Sequence, residues 1–131
     1  MILVDASVWV DFLRGSPTPE AGLLATLIGQ QPLLVGDLTL CEVLMGVPSQ
    51  RQARQVEAAL RRFDVVTLVD DAVAAQAASH YRFLRARGIT IRKTIDLLIG
   101  TWCLRQGHAL LHRDRDFDPM EQHLGLAVLR P

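Results

Sequence analysis

Short apolar runs alternate with amphipathic stretches along this chain, and acidic residues fall at the joints. The first run, "ILV" at residues 2–4, stops at Asp5. It is too short for a helix and reads as a buried strand. "SVWVDFLRG" (residues 7–15) groups Val8, Trp9, Phe12 and Leu13 on one helical face and closes on Gly15. Residues 20–30 place Leu23, Leu24, Leu27 and Ile28 at helical spacing. "PLLV" (residues 32–35) predicts a second strand, with Pro32 at its entrance, where proline is tolerated. Two helices follow, over 36–47 and 49–63, the second amphipathic through Val56, Leu60 and Phe63. A third strand at 64–69 leads into a long helix at 70–87, ended by Gly88.

After a loop over 89–93, residues 95–106 form a strongly apolar helical pattern stopped by Gly107. "HALLH" (108–112) predicts a fourth strand. Asp118 is expected to cap a short helix, with Pro119 at the first position and Glu121 reaching back. Residues 126–130 predict a last strand. This alternation is that of an α/β sandwich with a mostly parallel sheet, built as a single domain over residues 1–131.

Composition narrows the picture. Half the residues are hydrophobic, enough for a sizeable core in 131 residues, and the scarcity of aromatics makes that core aliphatic. Formal net charge is zero, so any attraction for phosphate must be local. Lys93 is the only lysine; the arginine bias follows either from a GC-rich genome or from a need to fork onto phosphate and carboxylate groups. Cys41 and Cys103 sit in apolar helical patterns outside any CxxC pair, and read as buried free thiols in a reducing compartment. No leader precedes the first strand and no apolar run has the length of a membrane span, which predicts a cytoplasmic protein.

The candidate chemistry lies in the acids. Ligands of open α/β sheets gather beyond the carboxyl ends of the strands. Asp5 directly follows the first strand, and Asp114 lies two residues past the fourth, within "HRDRDFD". Glu42 sits about a turn into the helix after the second strand, and Asp96 in the first turn of the helix feeding the fourth. Each has a plainer reading. Asp5 suits a helix cap. Thr39 and Glu42 have the T-x-x-E spacing of a capping box. Asp96 is a favourable charge at a helix N-terminus, with Thr94 as a candidate cap, and Asp114 and Asp116 resemble solvated loop acids.

Taken together the four say more. Carboxylates within ~4 Å repel by roughly 4 kcal/mol per pair at an effective dielectric of about 20. Such a cluster takes up protons or a cation. An all-oxygen set suits Mg²⁺, with Mn²⁺ as substitute, rather than structural zinc. The chemistry is then phosphodiester hydrolysis by activated water. Ser7 is placed to hydrogen-bond a carboxylate, or equally to cap a helix. Arg92, Lys93, Arg113 and Arg115 flank the acids and either meet substrate phosphates or are solvated. His112 reads as a strand-end histidine, and His80, His108 and His123 as surface or turn residues. No P-loop or G-x-G-x-x-G occurs.

The segments "MILVDASVWVDFLRG", "GDLTLCEVLMG", "IRKTIDLLIGTWCLRQGHALLHRDRDFD" and "LGLAVL" resemble, in order and spacing, a PIN-domain ribonuclease of the kind that is the toxin of a VapBC-type toxin–antitoxin pair. The resemblance spans essentially the whole chain. It implies a PIN-like three-layer α/β/α sandwich and Mg²⁺-dependent RNA cleavage. The metal-binding acids it implies are Asp5, Glu42, Asp96 and Asp114, with Asp116 as an additional member. It also implies a homodimer and a VapB-type antitoxin whose tail lies across the acidic groove. Ala6 departs from the threonine frequent at that position. Two other readings stay open: a catalytically inactive PIN-like module that binds RNA or protein, and a small phosphatase with Asp5 as nucleophile. The phosphatase wants a second acid where Ser7 stands.

Overall fold

A computed structural model describes residues 1–131. Its elements run β1 (Ile2–Val4), α1 (Ala6–Arg14), α2 (Pro19–Leu27), β2 (Leu33–Gly36), α3 (Asp37–Met45), α4 (Gln50–Leu60), β3 (Asp64–Val66) and α5 (Asp71–Arg85). Then follow α6 (Thr94–Gln106), β4 (Ala109–Leu111), a 3₁₀ turn (Arg115–Phe117) and α7 (Asp118–Leu124). The sheet order is β3-β2-β1-β4, and every pairing is parallel. The strand after β1 in sequence lies on one side of it and β4 on the other. β1 is therefore where the winding direction reverses, and the crevice at its carboxyl end is where such sheets place ligands.

Period-two alternation within three- and four-residue strands builds both cores. Ile2, Val4, Leu33, Val35 and Leu111 face one helical layer, where Val8 and Trp9 of α1, Leu24 and Leu27 of α2, Val43 of α3 and Leu60 of α4 meet them. Leu3, Leu34 and Leu110 face the other, packing on Val73, Ala77 and Leu84 of α5, Leu97, Ile99 and Trp102 of α6, and Met120 of α7. The result is the expected α/β/α sandwich, and strands buried on both faces explain the unbroken apolar runs. Trp9 stacks on Phe63 at 5.0 Å between ring centres and anchors the first layer.

Four expectations are corrected. The last strand, predicted over 126–130, is reduced to one bridge between Val128 and Leu110, because only Ala127 and Leu129 exchange hydrogen bonds with that edge. Asp118 does not cap α7: Phe117 holds the cap position and no side chain bonds there, while Glu121 pairs with Arg130 instead of reaching back. Cys41 is exposed; only Cys103 is buried, and burial pushes its thiol up to about 12. His80 is half-buried, held between Gln76 (3.1 Å) and Thr101 (3.0 Å) across the α5–α6 contact.

Candidate metal centre

β1 ends at Asp5, whose backbone N–H extends the ladder by donating to the Leu111 carbonyl at 2.9 Å. The side chain does two things at once. Its Oδ2 caps α1, accepting from the Ser7 amide at 3.1 Å and the Ser7 hydroxyl at 2.6 Å. Its Oδ1 is buried with no partner. The cap reading and the site reading of Asp5 thus describe different oxygens of one carboxylate. Ser7 Oγ also accepts from the Arg113 amide at 3.0 Å, which ties the ends of β1 and β4 together.

Glu42 belongs to the site rather than to a cap. α3 begins at Asp37, with Gly36 as N-cap and no side-chain capping bond, so Thr39 and Glu42 already lie inside the helix. Asp37 fixes that start: its Oδ1 accepts from Leu38 (2.8 Å) and from Leu68 (3.1 Å), beyond β3. Glu42 Oε1 is left buried without a partner. Asp96, in the first turn of α6, is 3 % exposed, and its Oδ2 has no hydrogen bond. Thr94 does not cap that helix; Lys93 occupies the cap position.

Asp114 Oδ1 caps the 3₁₀ turn through the Asp116 amide at 2.9 Å, leaving Oδ2 to accept from Lys93 Nζ at 2.7 Å. Its backbone N–H donates to His112 Nδ1 at 3.1 Å, and the His112 ring packs on Phe117 at 4.8 Å. The strand-end histidine therefore positions the last acid motif; the H-x-D spacing is the sequence signal for it. Ligand oxygens of Asp96, Asp114 and Asp116 lie within 4.8 Å of one another. Asp5 and Glu42 act on the same group electrostatically: Asp5 raises Glu42 and Asp96, and Glu42 raises Asp96.

Burial dominates the electrostatics. It pushes Asp96 up to about 7, with Asp5 and Asp114 adding to the rise. Burial also raises Asp5 against the two Ser7 hydrogen bonds, and raises Glu42 with help from Asp5. Asp114 is the exception: burial alone would raise it, but the Lys93 and Asp116 hydrogen bonds outweigh that and hold its carboxyl below the usual range. Three buried oxygens without partners, on Asp5, Glu42 and Asp96, together with an all-carboxylate donor set, fit a hard divalent cation.

Of the basic residues expected near the acids, Lys93 reaches them. Arg113 pairs with Asp11 at 3.2 Å; Arg115 is exposed in the cleft that Asp114 and Arg113 line, and Arg92 is exposed beside Lys93 in sequence. Ser7→Ala removes two of the bonds that orient this edge, and is expected to weaken divalent-cation binding by roughly 10–100-fold. Calorimetric titration with Mn²⁺ checks it.

The family model for the PIN domain matches residues 2–121. The chain is 31 % identical over 121 residues to ribonuclease VapC11 of Mycobacterium tuberculosis, covering 90 % of each protein. Among solved structures, FitAcB from Neisseria gonorrhoeae superposes with a TM-score of 0.76 at 20 % identity, covering 100 % of this chain and 98 % of that one. VapBC2 from Rickettsia felis, bound to a promoter DNA fragment, superposes at 0.75 and 18 % identity, covering 98 % of both chains. Sheet order, an acid cluster at the switch point and this similarity across the whole chain agree: the protein belongs to the PIN-domain family, among the VapC ribonucleases.

Proposed function

We propose that the protein is a divalent-metal-dependent endoribonuclease acting as the toxin of a type II toxin–antitoxin pair. The observation that carries this is the clustering of Asp96, Asp114 and Asp116 within 4.8 Å, with Asp5 and Glu42 electrostatically coupled to them and one buried, unpaired oxygen on each of Asp5, Glu42 and Asp96. Asp5, Asp96 and Asp114 are assigned as the principal metal-holding residues, with Glu42 and Asp116 completing the set. Mg²⁺, or Mn²⁺ in its place, supplies a water nucleophile at neutral pH and charge stabilisation for the departing oxygen of the phosphodiester.

The chain's own residues prepare that chemistry. Ser7 and the Asp116 amide each hold one carboxylate oxygen and so aim the other into the pocket. Burial by the apolar flanks of β1 and α6 keeps bulk water from screening Asp5 and Asp96. Arg113 and Arg115 beside Asp114, and the exposed Arg92, are assigned to RNA phosphates flanking the cleaved bond, contacts that position without reading sequence. The proposed protein partners are a VapB-type antitoxin and a second copy of this chain. The proposed compartment is the cytoplasm; no helix is long and apolar enough to cross a membrane.

The test is RNA cleavage by the purified chain with Mg²⁺, with EDTA, and with Asp5→Ala. Chelation is expected to stop cleavage. Asp5→Ala is expected to slow it at least ~10³-fold, about 4 kcal/mol of transition-state stabilisation, with an unchanged circular dichroism spectrum. Full activity in that variant would rule out this site as the nuclease centre.

A further inference from the structure

Lys93 stands apart from the other basic residues, all of which are arginine. Its ammonium faces the mouth of the acid cluster: Nζ lies 2.7 Å from Asp114 Oδ2, 3.6 Å from Asp116 Oδ2 and 4.0 Å from Asp96 Oδ2. Of the acids assigned to hold a cation, Asp96, Asp114 and Asp116 face this ammonium. A divalent ion among them and the ammonium cannot share the spot, since like charges a few ångströms apart repel strongly. The backbone of Lys93 is fixed, because it caps α6 and its carbonyl accepts from the Leu97 amide at 3.2 Å. Its side chain is not fixed in that way: it is 56 % exposed, and no residue other than the acids engages its head.

We propose that Lys93 is a tethered counter-ion that occupies the acid cluster in the metal-free protein and is displaced to the rim when a divalent ion enters, so that it sets the protein's metal affinity. This rests on the reading of the pocket as a metal centre. The residue type suits the task. An ammonium is a compact point charge on a flexible stem, whereas an arginine fork would lock onto Asp114 through paired hydrogen bonds. Apparent affinity for the ion falls by the fraction of time the pocket is free of lysine. A pocket filled nine-tenths of the time binds about tenfold more weakly than an open one. Once displaced, the ammonium joins the arginines at the rim, where an RNA phosphate passes.

The single lysine makes the experiment clean. Protein labelled with ¹⁵N at the lysine Nζ has one side-chain ammonium signal, and Mg²⁺ is titrated in without RNA. A hydrogen-bonded ammonium signal is expected in the metal-free state, broadening or shifting to a solvent-exposed position as Mg²⁺ saturates. Calorimetry with Mn²⁺ alone is expected to show roughly tenfold tighter binding to Lys93→Gln and weaker binding to Lys93→Arg than to wild type, with a lower metal-free melting temperature for Lys93→Gln. Metal binding with an unmoved lysine signal and equal affinities in all three proteins would overturn the counter-ion role while leaving the metal centre intact. No binding of Mg²⁺ or Mn²⁺ to any of them would overturn both.

Discussion

Asp96→Asn is expected to abolish RNA cleavage, by at least ~10³-fold, and at the same time to fold more stably than wild type without metal. The two effects share a cause. Asp96 is almost fully buried, and burial with the nearby charges of Asp5 and Asp114 pushes its carboxyl up to about 7. Its folded-state pKa is thus raised above the unfolded value. Such a group contributes stability that is complete below about pH 4 and is lost as pH rises through about 7. Above that pH, wild type holds a buried charge that asparagine never carries. The gain for Asp96→Asn therefore grows between pH 5 and pH 8 by on the order of 1–3 kcal/mol. Comparing the two proteins matters, because burial lowers His80 and His112 and so adds an opposite slope below about pH 6.5 common to both. Denaturant melts at the two pH values, beside a cleavage assay, check the prediction. A variant less stable than wild type at pH 8 would mean that the Lys93 contact at 4.0 Å outweighs the burial of Asp96.

Mn²⁺ is expected to stabilise the wild-type fold strongly at pH 8 and weakly at pH 5. Binding to the native state alone adds about 2.7 kcal/mol at a hundredfold excess over Kd. The ion needs ionised carboxylates, so protons compete with it. With Asp5, Glu42 and Asp96 all raised by burial, that competition sets in above the ordinary carboxylate range and is marked below about pH 7. Thermal melts with Mn²⁺ or EDTA across that interval read it directly. Equal shifts at both pH values would mean that the ion binds outside this cluster.

Much of this molecule is legible in one dimension. Apolar runs of three or four residues between amphipathic stretches dictate strands buried on both faces, and alternation within "ILV" and "LLV" assigns side chains to two cores before any coordinates are known. An acid at the end of a buried strand is costly enough to mark Asp5 by itself. The order of acid-bearing segments marks Asp96 and Asp114 with it.

What local sequence leaves undecided are choices between neighbours. The T-x-x-E spacing of Thr39 and Glu42 is the same whether it caps a helix or lies within one; Asp37, bound to Leu68 from beyond β3, starts the helix early and sends Glu42 into the pocket. Helical periodicity places Cys41 on a helix without saying which face is covered, and no element covers its side. Residues 126–130 have strand-like composition, but a strand exists only where an edge pairs with it, and β4 offers a single bridge. Charge pattern groups Lys93 with its arginine neighbours; only the folded arrangement of α6 against the end of β4 sets its ammonium on Asp114. Periodicity and burial cost are properties of a segment and can be read from it. Partnership depends on which distant segments arrive, and the tertiary structure alone determines that.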